Sequence, residues 1–411
     1  MKRSKRIIAL LCSTLLVAGL FAGCGGSKDK DAKKPANTQE EAPKGGKELV
    51  VWSYLTDPEV AALKPVADAW AKKTGNTVKV QADKGDFQAF LQAANSSKGP
   101  DVMFGVPHDN LGTYKKAGLL AEVTDLDKSK YPENAVKAVS YGDKAYAIPV
   151  AVESIALFYN TDKVKEAPKT VDDLIADAKK VGFKCDINNM YYSFPFYASD
   201  GGYIFKDNNG TLDPNDLGFN KPEGIKGWQL IQDMTQKYKF MTPDIKGDIA
   251  MGEFQNGKTG LYISGPWDVE GLKKANVKFA VAPMPTMNGK PLPTFVGVQA
   301  GFVTARSKNQ TEAMDLLKYL AENAEEPVLL NVGHRIPALN SVADKVKKSD
   351  PITAAFIEQV DNGIPMPNIP EVMSMWKIND SLNLLTSGKV SAKDYGAKAE
   401  NDVKSAIAQQ K

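Results

Sequence analysis

Histidine and cysteine are nearly missing from this 411-residue chain: it has His108 and His334, and Cys12, Cys24 and Cys185. A histidine-rich metal site is therefore excluded, and a Ser-His-Asp triad would have to use one of those two rings. No P-loop occurs, and no G-x-G-x-x-G follows a strand-like run, so neither nucleotide cradle is present. Net charge is missing too. Of 52 basic residues, Lys2, Arg3, Lys5 and Arg6 precede one apolar run, Ile7 to Ala22; without residues 1–23 the balance is 48 basic to 49 acidic, a net of −1. Nucleic-acid binding then has no electrostatic basis. What is plentiful is Asp and Glu, so a glycosidase working with two opposed carboxylates stays compatible with the composition. A content of 43 % hydrophobic and 25 % charged residues fits a globular protein and excludes a wholly disordered or many-span membrane chain. The length predicts two or three domains.

The basic leader, the apolar run and the small residues after it have the parts of an export signal, and about 16 apolar residues are short for a membrane span. Leu20-Phe21-Ala22-Gly23-Cys24 resembles a bacterial lipoprotein box, in which cleavage leaves the cysteine as a lipidated first residue. Phe21 stands where an aliphatic residue is usual. An ordinary secreted protein with a chance cysteine is the alternative. If the box is used, Cys12 leaves with residues 1–23, Cys24 carries acyl chains, and Cys185 remains as a lone buried hydrophobe with no disulfide to make. Residues 25–47 contain no Val, Ile, Leu or aromatic residue, so they read as a flexible tether. Its root-mean-square span as a coil is about 26 Å.

From Lys47 onward the pattern is α/β. Glu48–Tyr54 is a short apolar run suited to a buried parallel strand. Asp57-Pro58 reads as an N-cap and first turn; Val60, Leu63, Ala67 and Trp70 follow at helical spacing until Gly75. Strand 77–81, helix 87–94 and strand 101–104 come next, and strand-like runs recur at 259–264, 278–282 and 294–304. Asn309 and Glu312 read as a capping pair before the helical stripe Ala313, Leu316, Leu317 and Leu320. From Pro351 the remaining segments read as helices. The alternation predicts βαβ units and a mainly parallel sheet.

Aromatic residues recur beside Gly, Pro and Asn in MYYSFPFYASDGGY (190–203), SGPWD (264–268) and GIPMPNIPEVMSMW (363–376). A flat apolar ring suits the C–H face of a pyranose, while planar Asp, Glu and Asn side chains suit its hydroxyl rim. Trp52, Trp70 and Trp228 lie in apolar-periodic segments and are expected in the core; Trp267 and Trp376 follow loop residues and are expected to bind. Glu153 is the only acid between Asp143 and Asp162, in a stretch that otherwise reads as two apolar strands. Such a charge needs a partner, and the expectation is that it faces a cleft.

GPDVMFGVPHDNLGTYKKAGLLAEV (99–123), YAIPVAVESIALFYNTD (146–162), ASDGGYIFK (198–206), GPW (265–267), FVGV (295–298) and MPNIP (366–370) occur in an order that resembles the maltose/maltodextrin-binding proteins of bacterial ABC importers. The resemblance runs from residue 47 to the end. It implies a two-lobed, type II periplasmic-binding-protein-like α/β fold with a cleft between lobes, and chain crossings near Glu153, Met284-Pro285 and residue 345. The implied division is a signal (1–23), a tether (24–46), a first lobe (47–153 with 286–345) and a second lobe (154–285 with 346–411). It also implies that Asp109 and Glu153 grip sugar hydroxyls and that Tyr191, Trp267 and Trp376 contact the glucan. The implied protein is a monomeric, lipid-anchored, extracytoplasmic binder of maltose and maltodextrins. It hands them to membrane permease subunits, with no cofactor, metal or catalysis. Gly105-Val106-Pro107, Asn110, Thr56-Asp57 and Lys377 depart from the family pattern. First-lobe contacts are thus partly rewritten, which leaves glucan length and linkage open rather than the class; a binder for a peptide or another oligosaccharide, and a glycoside hydrolase, are the alternatives.

Overall fold

β1 (Glu48–Ser53), β2 (Thr77–Ala82) and β3 (Val102–Pro107) form from the short apolar runs, and β1 pairs in parallel with both neighbours. The computed structural model describes residues 46–83, 87–94 and 99–410; the expected signal, Cys24 and all but the end of the tether lie outside them. α1 (Asp57–Thr74) links β1 to β2 and buries Val60, Leu63, Ala67 and Trp70. Its N-cap is Thr56, one residue before the expected Asp57. The Glu59 carboxylate accepts hydrogen bonds from the Thr56 N–H (2.9 Å) and hydroxyl (2.6 Å), the contacts of a capping box. Pro58 falls in the first turn, where a missing N–H leaves no bond unmade. Gly75, with φ of 74°, ends the helix as expected.

The sheets are mixed, not mainly parallel. The larger one runs in the order Ile336–Pro337, Ile148–Glu153, Phe295–Val303, β3, β1, β2, with Ile364–Pro365 beside Phe295–Val303. Phe295–Val303 is antiparallel to both β3 and Ile148–Glu153. The smaller sheet runs Phe279–Ala282, Ala156–Asn160, Leu261–Ser264, Phe183–Lys184, and only the last pair is parallel. The reason is the route of the chain. It leaves the larger sheet after Glu153 and enters the smaller at Ala156. It then returns as Phe295–Val303, travelling the opposite way beside the strand it left by. All nine residues of that returning strand are buried.

Trp70 and Trp228 are in the core as expected, while Trp52 is only half-buried on β1. The helix Gln310–Asn323 buries Ala313, Leu316, Leu317 and Leu320. Asn309 makes no cap bond there; its side-chain amide reaches the Glu48 carbonyl instead (3.4 Å). The segments after Pro351 are helical apart from the short strand Ile364–Pro365. Cys185 is buried, and burial pushes its thiol pKa well up. No helix among the described residues is long and apolar enough to cross a membrane.

Candidate functional site

The start of Phe295–Val303 gathers the expected residues. Register places Gln299 opposite Pro107, at the end of β3, and Gly297 opposite Glu153, at the end of Ile148–Glu153. Asp109 lies just beyond β3 in a single 3₁₀ turn, His108–Asn110. That turn is fastened by His108, which is fully buried. The Val298 N–H donates to its Nδ1 (3.0 Å), so the proton is on Nε2, which donates to the Met366 carbonyl (2.9 Å). Burial holds the ring's pKa below the usual histidine range, against the pull of Asp109 and Glu153 nearby. Asp109 is half-buried; its carboxylate accepts from the Asn110 amide (3.2 Å) and caps no helix.

A carboxylate facing a cleft would take its partners from the ligand, and Glu153 is expected to do so. The structure corrects this. Its Oε1 accepts from Gln299 Nε2 (3.0 Å) and Arg335 Nη1 (2.9 Å). Arg335 also donates from Nε and Nη2 to the two oxygens of Glu59 (2.6 and 3.1 Å), a carboxylate with no exposed side-chain surface. Burial acts to raise the Glu59 pKa, but the guanidinium and the Thr56 donors outweigh it and hold it below the usual carboxylate range. Arg335 was not found from the sequence, though a signal existed. After residue 23, Arg306 and Arg335 are the only arginines in a chain that otherwise uses lysine.

Two of the expected aromatic residues, Tyr191 and Trp376, flank Phe295, the first residue of the FVGV stretch, and Trp267 joins them through Tyr191. Tyr191, early in the helix Met190–Tyr197, lies 6.3 Å from Trp267 and 6.3 Å from Phe295, ring centre to ring centre. Phe295 is 6.5 Å from Trp376 and stacks on Phe194 at 3.7 Å. Burial, with the Glu153 charge added, pushes the Tyr191 phenol pKa up; Glu153 itself pairs with Gly297, two residues beyond Phe295. Trp267 sits in the turn Pro266–Asp268 and is 48 % exposed. Two features hold that turn. Asp268 accepts from the Tyr262 and Ser264 hydroxyls (2.8 and 2.6 Å), and the indole lies against Gly265 where any Cβ would come within 2.1 Å of it. Only glycine permits that approach.

A cavity of about 680 Å³ lies elsewhere, between residues 128–142, 201–212 and 363–368, and none of the five expected residues lines it. It shares Phe194 and Phe295 with the aromatic cluster. Amides along its wall already have partners: Asn134 donates to the Val360 and Gly363 carbonyls, Asn368 to those of Ala138 and Ser140. No group of His, Cys, Asp and Glu among the described residues could hold a metal.

Residues 66–355 match the family model of the bacterial extracellular solute-binding protein. A maltooligosaccharide ABC transporter solute-binding lipoprotein of Streptococcus pneumoniae is 31 % identical over 425 residues, covering 98 % of this chain and 97 % of that one. A galactooligosaccharide-binding protein of Bacillus subtilis is 31 % identical over 429 residues, covering 99 % and 98 %. Among solved structures, the maltose-maltodextrin binding protein of Alicyclobacillus acidocaldarius matches with a TM-score of 0.75 and 38 % identity, over 87 % of this chain and 100 % of that one. The two-sheet architecture is the two-lobed α/β fold of the type II sugar-binding proteins.

Proposed function

Because the chain belongs to the bacterial extracellular solute-binding protein family, we propose that it captures maltose and maltodextrins and delivers them to the membrane permease of an ABC importer. The observation that carries this reading is the cluster at Phe295, where a half-exposed tryptophan, a tyrosine and a second tryptophan lie near Glu153, a carboxylate pre-oriented by Arg335 opposite Gly297. Such a surface pairs apolar rings with a hydroxyl acceptor, as a pyranose requires. Trp267, Trp376 and Tyr191 stack on sugar faces; Asp109 and Glu153 take hydroxyls. Residues 47–153 with 286–345 form one lobe and 154–285 with 346–411 the other. The ligand draws them together because the closed arrangement adds contacts the open one lacks. Cys24 carries the lipid that keeps this monomer at the outer face of the membrane, with residues 24–46 as its tether.

The protein binds sugar without cleaving it. A hydrolase needs two carboxylates facing each other across the scissile bond, and Glu153 is already tied to Arg335. Calorimetric titration with maltose, maltotriose, longer maltodextrins, cyclodextrin, trehalose and a galactooligosaccharide tests the reading. The expected result is micromolar binding of the α-glucans, with maltotriose intact after overnight incubation. Preference for the galactooligosaccharide, the ligand in the name of the Bacillus subtilis relative, would move the assignment to that sugar class. Binding of no oligosaccharide would overturn it.

A further inference from the structure

Glu153 is not a free carboxylate at a strand end. Its Oε1 is occupied by Arg335 and Gln299, while Oε2 has no hydrogen bond among the described residues. Arg335 uses three of its five N–H donors, two on Glu59 and one on Glu153. Glu59 is in turn immobile. It is fully buried, it caps α1 through Thr56, and Gly333 lies so close that a Cβ there would stand 2.1 Å from its Oε1. A buried carboxylate held in one place fixes the planar guanidinium that grips it at two points. The guanidinium then presents Nη1 to Glu153 in one orientation. The guanidinium thus bridges the two carboxylates, and Glu153 is an acceptor whose partner is part of the protein.

We propose that Arg335 is the positioning residue of the sugar site: anchored on Glu59, it holds Glu153 by one oxygen and leaves the other for a ligand hydroxyl. This rests on the reading of Glu153 as a ligand group. The planar fork is essential to the role. A lysine at 335 keeps the charge but cannot engage both oxygens of Glu59 and reach Glu153 in a fixed geometry.

The test is a double-mutant cycle read by calorimetry with maltotriose, with ligand-free melting curves beside it. Arg335→Gln alone would strand the Glu59 charge in the core and risks unfolding, so Glu59→Gln and Arg335→Gln are introduced together. Arg335→Lys serves as the charge-conserving variant. Both should weaken maltotriose binding about tenfold, as should Glu153→Gln, the scale of one hydrogen bond to a charged acceptor. The triple variant, Glu59→Gln, Arg335→Gln and Glu153→Gln, should bind no more weakly than Glu153→Gln alone, because Arg335 acts through Glu153. A roughly hundredfold, additive loss in a triple variant that still melts cooperatively would overturn the proposal. So would wild-type affinity in Arg335→Lys. A wild type that binds no maltotriose overturns the maltodextrin reading and this proposal together, whereas a wild type that binds, with additive losses, overturns the proposal alone.

Discussion

Removing the indole of Trp267 takes away a ring that water already half covers, so the ligand-free fold should hardly notice. Trp267→Ala is expected to leave the melting temperature within a degree or two and to weaken maltodextrin binding by roughly 1–3 kcal/mol, the loss of a well-packed aromatic contact. Trp376→Ala should weaken binding to a similar degree. It should also cost some stability, because that ring is half-buried against Phe295. Wild-type affinity in both variants, measured by fluorescence titration, would remove the stacking role. Glu153 behaves differently from a carboxylate that waits for its ligand. Glu153→Ala deprives Arg335 of one partner, and since a third of the Glu153 side chain is exposed, a modest loss of about 1 kcal/mol is expected without sugar. Its affinity should fall by more than tenfold. A sharp collapse of the ligand-free fold with undiminished affinity in what survives would make Glu153 structural. Glu153, Trp267 and Trp376 stand out as candidates because each is odd where it stands, an acid between apolar strands and tryptophans after loop residues; Asp109 and Tyr191 rest on the family resemblance alone. Their partners were not legible. Arg335 is 182 residues from Glu153 and 276 from Glu59, and no local pattern ties positions so far apart.

Among the elements, the π-helical turn Glu325–Leu330 is the one that brings Arg335 to the site. It delivers the chain to Val332–Arg335, with the Arg335 N–H donating to the Leu329 carbonyl (2.9 Å) and His334 in the left-handed region at φ of 52°. Glu325 at its start is buried and accepts from the Leu339 N–H (2.6 Å). Burial raises its pKa from 4.5 to about 7, against the backbone donors. For an acid whose folded pKa is raised, the stabilisation is complete below about pH 4.5 and is lost as pH rises through 7. The loss at alkaline pH amounts to roughly 3 kcal/mol. Melting curves at pH 5 and pH 8 should therefore show a fall in wild type that Glu325→Gln reduces; equal falls in both would contradict the assignment. At this scale the sequence was readable where structure is local. The α1 stripe and its Gly75 stop, and the helix Phe87–Ala94, follow from spacing and end signals. The direction of Phe295–Val303 did not, because it depends on where the chain has travelled in between. The same limit explains why a mainly parallel sheet was expected.

For the whole molecule, the expected lipid at Cys24 makes a prediction about partition. The wild type should sediment with membranes, and Cys24→Ser should give soluble or unprocessed protein, since stable anchoring needs more than one acyl chain. Equal membrane retention of a processed Cys24→Ser protein would argue against lipidation. The buried Cys185 carries a further consequence. A version beginning after Cys24 has one sulfur nucleophile, and its thiol is both enclosed and held protonated. The native protein should ignore a water-soluble aromatic disulfide that a denatured sample consumes one for one. The slow labelling rate would then time the opening of the region around Phe183–Lys184. A sugar that grips both lobes should slow that clock, so a single native thiol would let ligand-dependent breathing be followed by colour alone, with no engineered probe.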